Sequence, residues 1–211
     1  EEQRHPVEMI WAGGFYTQML ADVLRGKLGL HPDAAVGYSL GESSGLFALN
    51  TWRGVDDSFD RMTQWPLLNT EIVGEMNAIL RAWESWGVDV TPYRGRTFWS
   101  TYMVQATPDA VRAAMKDEKL CHISIINAPE EVTFFPTPVP AAVHVPEVAV
   151  TEAEYRAMNS HPVFPPAGVT YYSSGRGEPY ACTSENVTQS IIDQAVNTVD
   201  FPKLIRRVWD D

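Results

Sequence analysis

With 211 residues and 45% hydrophobic content, the chain is long enough to bury one sizeable core, so extended disorder is excluded. A net charge of −11 and the lack of any Lys/Arg-rich block argue against nucleic acid or an anionic membrane as partner. No apolar stretch reaches bilayer length and no basic-apolar leader is visible; Cys121 and Cys182 form neither a C-x-x-C pair nor a ligand cluster with the five histidines. A cytoplasmic protein with two free thiols, no metal and no membrane span is expected.

In chain order, apolar residues at helical spacing (Met9, Ile10, Phe15, Met19, Leu20, Val23, Leu24) predict a helix from 7 to 28, packed on a sheet and capped by Gly29. His31-Pro32-Asp33 turns the chain into a short strand, Ala34-Ala35-Val36. There follows Gly37-Tyr38-Ser39-Leu40-Gly41, the G-x-S-x-G pattern, and then Glu42 and the apolar run Leu46-Phe47-Ala48-Leu49. Strand, sharp turn and helix in this order form a nucleophile elbow, whose flanking glycines avoid collisions a Cβ would cause. The turn would lift the Ser39 hydroxyl clear of the sheet and set the Leu40 N–H at a helix N-terminus, where it can stabilise an oxyanion.

Further helices are expected from Asp56 to Trp65 and from Glu71 to Trp86, the latter with Ile72, Met76, Ile79, Leu80 and Trp83 on one face. From Arg96 the texture changes. Thr97 to Val104 reads as strand, Pro108 to Lys116 as helix, Cys121 to Asn127 as strand and Val132 to Phe135 as strand, the β-α-β order of a small ferredoxin-like insert that is either shortened or missing residues, since the second helix is absent before Pro136. Beyond Ala141 to Pro146 come a helix near Thr151 to Met158, a strand from Val169 to Ser173, and helices from Ser184 to Val196 and from Phe201 to Trp209.

The elbow, the insert and the late histidine together resemble the malonyl-CoA:carrier-protein transacylase family, the acyltransferase domains of fatty acid and polyketide synthases. Gly-Tyr-Ser-Leu-Gly-Glu and the later Val-Asp-Phe-Pro are most similar to the iterative polyunsaturated fatty acid synthase type. The resemblance implies an α/β fold, with an α/β-hydrolase-like core of parallel strands (1–95 and 145–211) and a small ferredoxin-like α+β subdomain (96–144). It implies Ser39 as nucleophile and His144, 105 residues further on, as general base. Gln194 matches a glutamine near the catalytic histidine, where a carbonyl oxygen orients the imidazole, and Asn127 matches another position near the site. No cofactor is implied; the substrates would be an acyl-CoA and the phosphopantetheine thiol of an acyl carrier protein, within a multidomain synthase.

Two features depart from the family pattern. Residues 1 to 38 lack the Gly-Gln-Gly segment that supplies the second oxyanion donor, so a fragment of a longer polypeptide, or gaps in the chain, is expected. At the position of the arginine that clamps a malonyl carboxylate stands Gln64 or Trp65, with Arg61 one turn earlier. That substitution favours a non-carboxylated acyl group, unless Arg61 or another arginine reaches the pocket. The alternatives are a thioesterase, which resolves the same acyl-serine with water, and a non-catalytic docking module of a megasynthase. The acids Glu130 and Glu131, which precede His144, read as part of a solvated turn.

Overall fold

A computed structural model of the chain describes residues 6 to 129 and 141 to 211, so the expected strand from Val132 to Phe135 and the acids Glu130 and Glu131 lie outside the described residues. The elements run α1 (Pro6–Leu28), β1 (Ala34–Ala35), α2 (Gly41–Ala48), α3 (Val55–Gln64), α4 (Asn77–Ser85), α5 (Pro108–Ala114), β2 (Ile125–Ile126), α6 (Glu152–Asn159), β3 (Thr170–Ser173), β4 (Glu178–Tyr180), α7 (Ser184–Val196), β5 (Val199–Asp200) and α8 (Phe201–Asp210). Single 3-10 segments, Pro66–Leu68 and Pro146–Thr151, precede α4 and α6. The result is a mixed α/β structure in which helices surround small sheets.

Parallel strands were expected; the two-stranded sheet is parallel and the three-stranded one is mixed. β1 pairs with β3 in parallel, Ala34 opposite Thr170, whereas β4 folds back on β3 antiparallel. β2 pairs in parallel with β5, so the strand before residue 129 is joined to the end of the chain. Because β1 is only two residues long, α1 finds little sheet to cover and packs mainly on α2 and α3.

Two local expectations give way to tertiary packing. Thr97 to Val104 is irregular apart from a single bridge residue, Tyr102. The aromatic rings that made it read as strand are used sideways: Phe98 and Trp99 stack around Trp83, at centroid distances of 5.3 and 6.4 Å. The helix expected from Glu71 begins only at Asn77, because Gly74 and Met76 adopt left-handed backbone conformations that no helix interior accepts. At Gly74 a Cβ would meet the Asn69 carbonyl oxygen at 2.5 Å, so this turn requires glycine.

The main core lies between α2, α4, α6 and α7. Leu46, Trp52, Leu67, Ile72, Ile79, Val148 and Val187 are all 2% exposed or less. A buried polar tie crosses it: Trp83 Nε1 donates to Glu147 Oε1 at 3.0 Å, and His122 Nε2 lies 2.7 Å from the same oxygen. Buried polar groups need such partners, since an unpaired carboxylate in this setting would destabilise the fold. Glu147 sits three residues after His144, and the tie therefore steadies the chain just past the site.

The two glycines of the elbow differ in what they do. A Cβ on Gly37 would stand 2.1 Å from the Glu42 backbone nitrogen, whereas one on Gly41 meets nothing within 4 Å. Expected outcomes follow for thermal or urea unfolding: Gly37→Ala destabilises the protein by more than ~1 kcal/mol, while Gly41→Ala stays within about 0.5 kcal/mol of the parent. Equal losses in the two variants would contradict this assignment.

Candidate active site

Ser39 sits between the end of β1 and the start of α2 with φ of 52°, a left-handed conformation that a β-substituted residue adopts only under constraint. The constraint is visible. Gly41 N–H donates to the Tyr38 carbonyl at 2.8 Å and Glu42 N–H to the Ser39 carbonyl at 3.1 Å, so the turn is closed immediately before the helix begins. The Leu40 N–H has no acceptor among the described residues and lies at the positive end of α2.

His144 approaches from the opposite side, also with a positive φ, of 61°. Its segment is pinned at both ends: Ala142 N–H donates to the Ile72 carbonyl at 2.8 Å, and His144 N–H to the Ala195 carbonyl at 2.7 Å. The ring Nδ1 bonds the main-chain carbonyl of Gln194. Both acceptors belong to the last turn of α7, whose final carbonyls have no partners within the helix. With Nδ1–H donated to a carbonyl, the neutral ring carries its lone pair on Nε2, and Nε2 lies 2.7 Å from Ser39 Oγ.

Burial disfavours the charged imidazolium and pushes the His144 pKa below the usual 6.5, while the hydrogen bond to the Gln194 carbonyl opposes the shift. His144 is only 4% exposed, and near neutrality its ring is unprotonated and ready to accept a proton. The α7 C-terminus beside it would favour an imidazolium once formed, just as the α2 N-terminus favours negative charge near Leu40. Opposite helix ends thus face the Ser39–His144 contact from its two sides.

A polar cluster behind the dyad joins its two halves. Glu42, buried on the first turn of α2, accepts from Ser174 N–H at 3.0 Å, from Ser174 Oγ at 2.7 Å and from Ser190 Oγ. Ser174 Oγ also lies 3.2 Å from Gln194 Oε1, so the Gln194 side chain serves this cluster while its main chain serves His144. Burial raises the Glu42 pKa, against the hydrogen bonds from Ser190 and Ser174 and the nearby Arg176. The loop after β3 lies flush against α7 because residue 175 is glycine; a Cβ there would meet the Gln194 nitrogen at 2.4 Å. Sequence reasoning assigned Glu42 no role of its own, although its spacing of four from Leu46 placed it on the buried face of α2.

Ser39, Leu40, His144 and Gln194 line one cavity of about 450 Å³, a volume suited to a small organic ligand. The other residues singled out from the sequence stand elsewhere. Arg61 donates to the Ser160 carbonyl at 3.5 Å, Trp65 terminates α3, and the Asn127 side chain bonds the Tyr38 hydroxyl; none of the three lines the cavity. Instead, α3 presents Ser58 and Met62, and His161, to which the sequence assigned no role, joins the lining with its Nε2 3.4 Å from Ser58 Oγ. No sequence pattern marks His161, which reaches the cavity through tertiary packing. Among the described residues there is no group of histidine, cysteine and acidic side chains able to hold a metal ion.

The fold is that of acyltransferase domains. It is similar to a loading acyltransferase from the avermectin modular polyketide synthase (TM-score 0.63, 17% identity, covering 93% of this chain and 62% of that one). It is also similar to the acyl-carrier-protein-S-malonyltransferase from Bartonella henselae (TM-score 0.65, 16% identity, 95% of this chain and 67% of that one). In sequence, the chain is 26% identical to one of the polyunsaturated fatty acid synthase polypeptides of Thraustochytrium sp., over 98% of its own length and 11% of that protein. It therefore spans about a tenth of the curated relative it matches, and no family model matches it.

The ring of His144 should titrate below 6.5 in an NMR pH series, with the Nε2 lone pair present at neutrality. Because its pKa, like that of His161, is lower in the folded chain than in the unfolded one, the linked stability is fully present above about pH 6.5 and is lost as pH falls through and below that value. Because the raised pKa of Glu42 acts in the opposite sense, the comparison is with a His144→Gln/His161→Gln variant: urea midpoints should decline more from about pH 7.5 to about pH 5.5 in the parent than in that variant; a His144 titration at or above 6.5 would contradict the burial argument.

Proposed function

We propose that this chain is an acyltransferase domain that moves an acyl group from coenzyme A, through an acyl-serine, to the phosphopantetheine thiol of an acyl carrier protein. The observation that carries the proposal is the 2.7 Å contact between Ser39 Oγ and His144 Nε2 on the wall of a ligand-sized cavity. A serine hydroxyl is a weak nucleophile until a base removes its proton. His144 takes that proton as Ser39 Oγ bonds the thioester carbon, and the Leu40 N–H donates to the developing oxyanion. The imidazolium then protonates the departing thiolate as the C–S bond breaks, leaving the acyl-serine and a neutral His144. A carrier thiol reverses these steps: its proton passes to His144, its sulfur bonds the acyl carbon, and His144 returns the proton to Ser39 Oγ as the C–O bond breaks. Gln194 acts as a positioning residue through its main-chain carbonyl.

The likeness in fold to solved acyltransferases and the similarity to a polyunsaturated fatty acid synthase support placement within a multidomain fatty acid or polyketide synthase. The division into a core (1–95 and 145–211) and a ferredoxin-like subdomain (96–144) is retained as part of the proposal, as is a cytoplasmic location. No helix among the described residues is long and apolar enough to cross a membrane. A thioesterase would use the same acyl-serine. What favours transfer over hydrolysis is the third group, a main-chain carbonyl in place of the carboxylate usual in Ser-His-acid hydrolases. The close Ser39–His144 contact likewise speaks against a non-catalytic docking module.

Intact-protein mass spectrometry after mixing with acyl-CoA donors tests the reading. A single adduct is expected in the parent protein, none in Ser39→Ala, and formation slowed by at least about 10⁴-fold in His144→Ala. A persistent adduct in Ser39→Ala would overturn the nucleophile, and adduct loss to water faster than to a carrier thiol would overturn transfer in favour of hydrolysis.

A further inference from the structure

The cavity beside Ser39 has an unusual charge inventory for a site that would handle a dicarboxylic acyl group. Its walls are apolar side chains from α1, α3, α6, α7 and the turn before α4, among them Ile10, Met62, Leu68, Ile72, Met158 and Ile191. Among the described residues the lining contains no Arg, Lys, Asp or Glu. Arg61, the neighbour of Met62 on α3, donates to the Ser160 carbonyl at 3.5 Å and is not part of the wall.

The polar groups in the wall are neutral ones. His161 packs its ring 4.7 Å from Trp52 and bonds Ser58, and burial together with the positive charge of Arg61 keeps it below the usual imidazole range, hence uncharged near neutrality. The indole N–H groups of Trp11 and Trp52 are buried and have no acceptor among the described residues. The hydroxyl and amide groups of the wall, Ser44, Ser58, Tyr155 and Asn159 among them, are neutral as well, and none supplies a countercharge to a carboxylate. A free carboxylate would enter such a wall largely unpaired and desolvated, which is strongly unfavourable. A hydrocarbon chain gains instead, by a factor of about four for each methylene removed from water.

We infer that the cavity accepts an uncharged, hydrocarbon-rich acyl chain and discriminates against acyl groups bearing a free carboxylate, with Met62 on α3 as a specificity-determining residue. This rests on the acyl-serine reading for its chemistry, though not for its binding preference. The walls offer such a chain apolar contact on several sides.

The test uses the whole chain with decanoyl-CoA, acetyl-CoA and malonyl-CoA, read in two ways. Single-turnover acylation of the parent protein should be at least about 100-fold faster with decanoyl-CoA than with malonyl-CoA; malonyl-CoA reacting as fast or faster would overturn the inference. Binding to Ser39→Ala, followed by tryptophan fluorescence since Trp11 and Trp52 line the cavity, should likewise rank decanoyl-CoA above the other two, and equal affinities would overturn it. Decanoyl preference in binding without any acylation of the parent protein would support the cavity assignment and sink the acyl-serine reading. Indiscriminate acylation by all three donors would do the reverse. In Met62→Arg, a cation placed in the wall should lower the decanoyl-to-malonyl ratio by at least about ten-fold; an unchanged ratio in the folded variant would overturn the role of that residue.

Discussion

Everything at the site depends on one arrangement: the C-terminal turn of α7 holds His144 by two main-chain carbonyls and thereby presents Nε2 to a serine at the N-terminus of α2. Helix ends are where a backbone has unpaired polar groups to offer. At α7 these are carbonyls, which fix the imidazole tautomer and favour the imidazolium; at α2 they are amides, which favour an oxyanion. The partner of Nδ1 is a main-chain carbonyl and not a charged side chain. The arrangement works only if the two helix ends stay in register with each other.

That register is maintained by a set of buried side-chain contacts. Glu42 on α2, Ser174 after β3, and Ser190 and Gln194 on α7 form one connected cluster, and Arg176 pairs with Asp193 on its exposed side. Gly175 and Gly37 allow the backbones to close to distances that a methyl group would forbid. A buried network of this kind is valuable only when every member is satisfied. Glu42 is, with three donors for its two oxygens.

How much of this could be read from the chain follows the distance over which each signal acts. The elbow is legible because its constraints are local: Gly37, Ser39 and the helix after them lie within a few residues, and α7 starts and ends where Ser184 and Val196 indicated. The pairing of Ser39 with His144 required the resemblance, since no local pattern marks that histidine out from the other four. Thr97 to Val104 misleads because aromatic residues suit both a strand and an irregular segment packed on Trp83. His161 and Met62 reach the cavity through tertiary packing alone, and Arg61 and Trp65 are excluded from it by the rotation of α3, which turns position 62 inward. A helical turn is short enough that an alignment error of one or two residues exchanges an inward side chain for an outward one.

The most direct measurement is the reaction of the folded protein with a serine-directed fluorophosphonate, mapped by peptide mass spectrometry across a pH series. Labelling confined to the peptide containing Ser39, with a rate that falls as pH drops through the depressed titration of His144, is the expected result. Labelling elsewhere, or at Ser39 with a rate indifferent to protonation of His144, would contradict the central claim that these two side chains act as one unit.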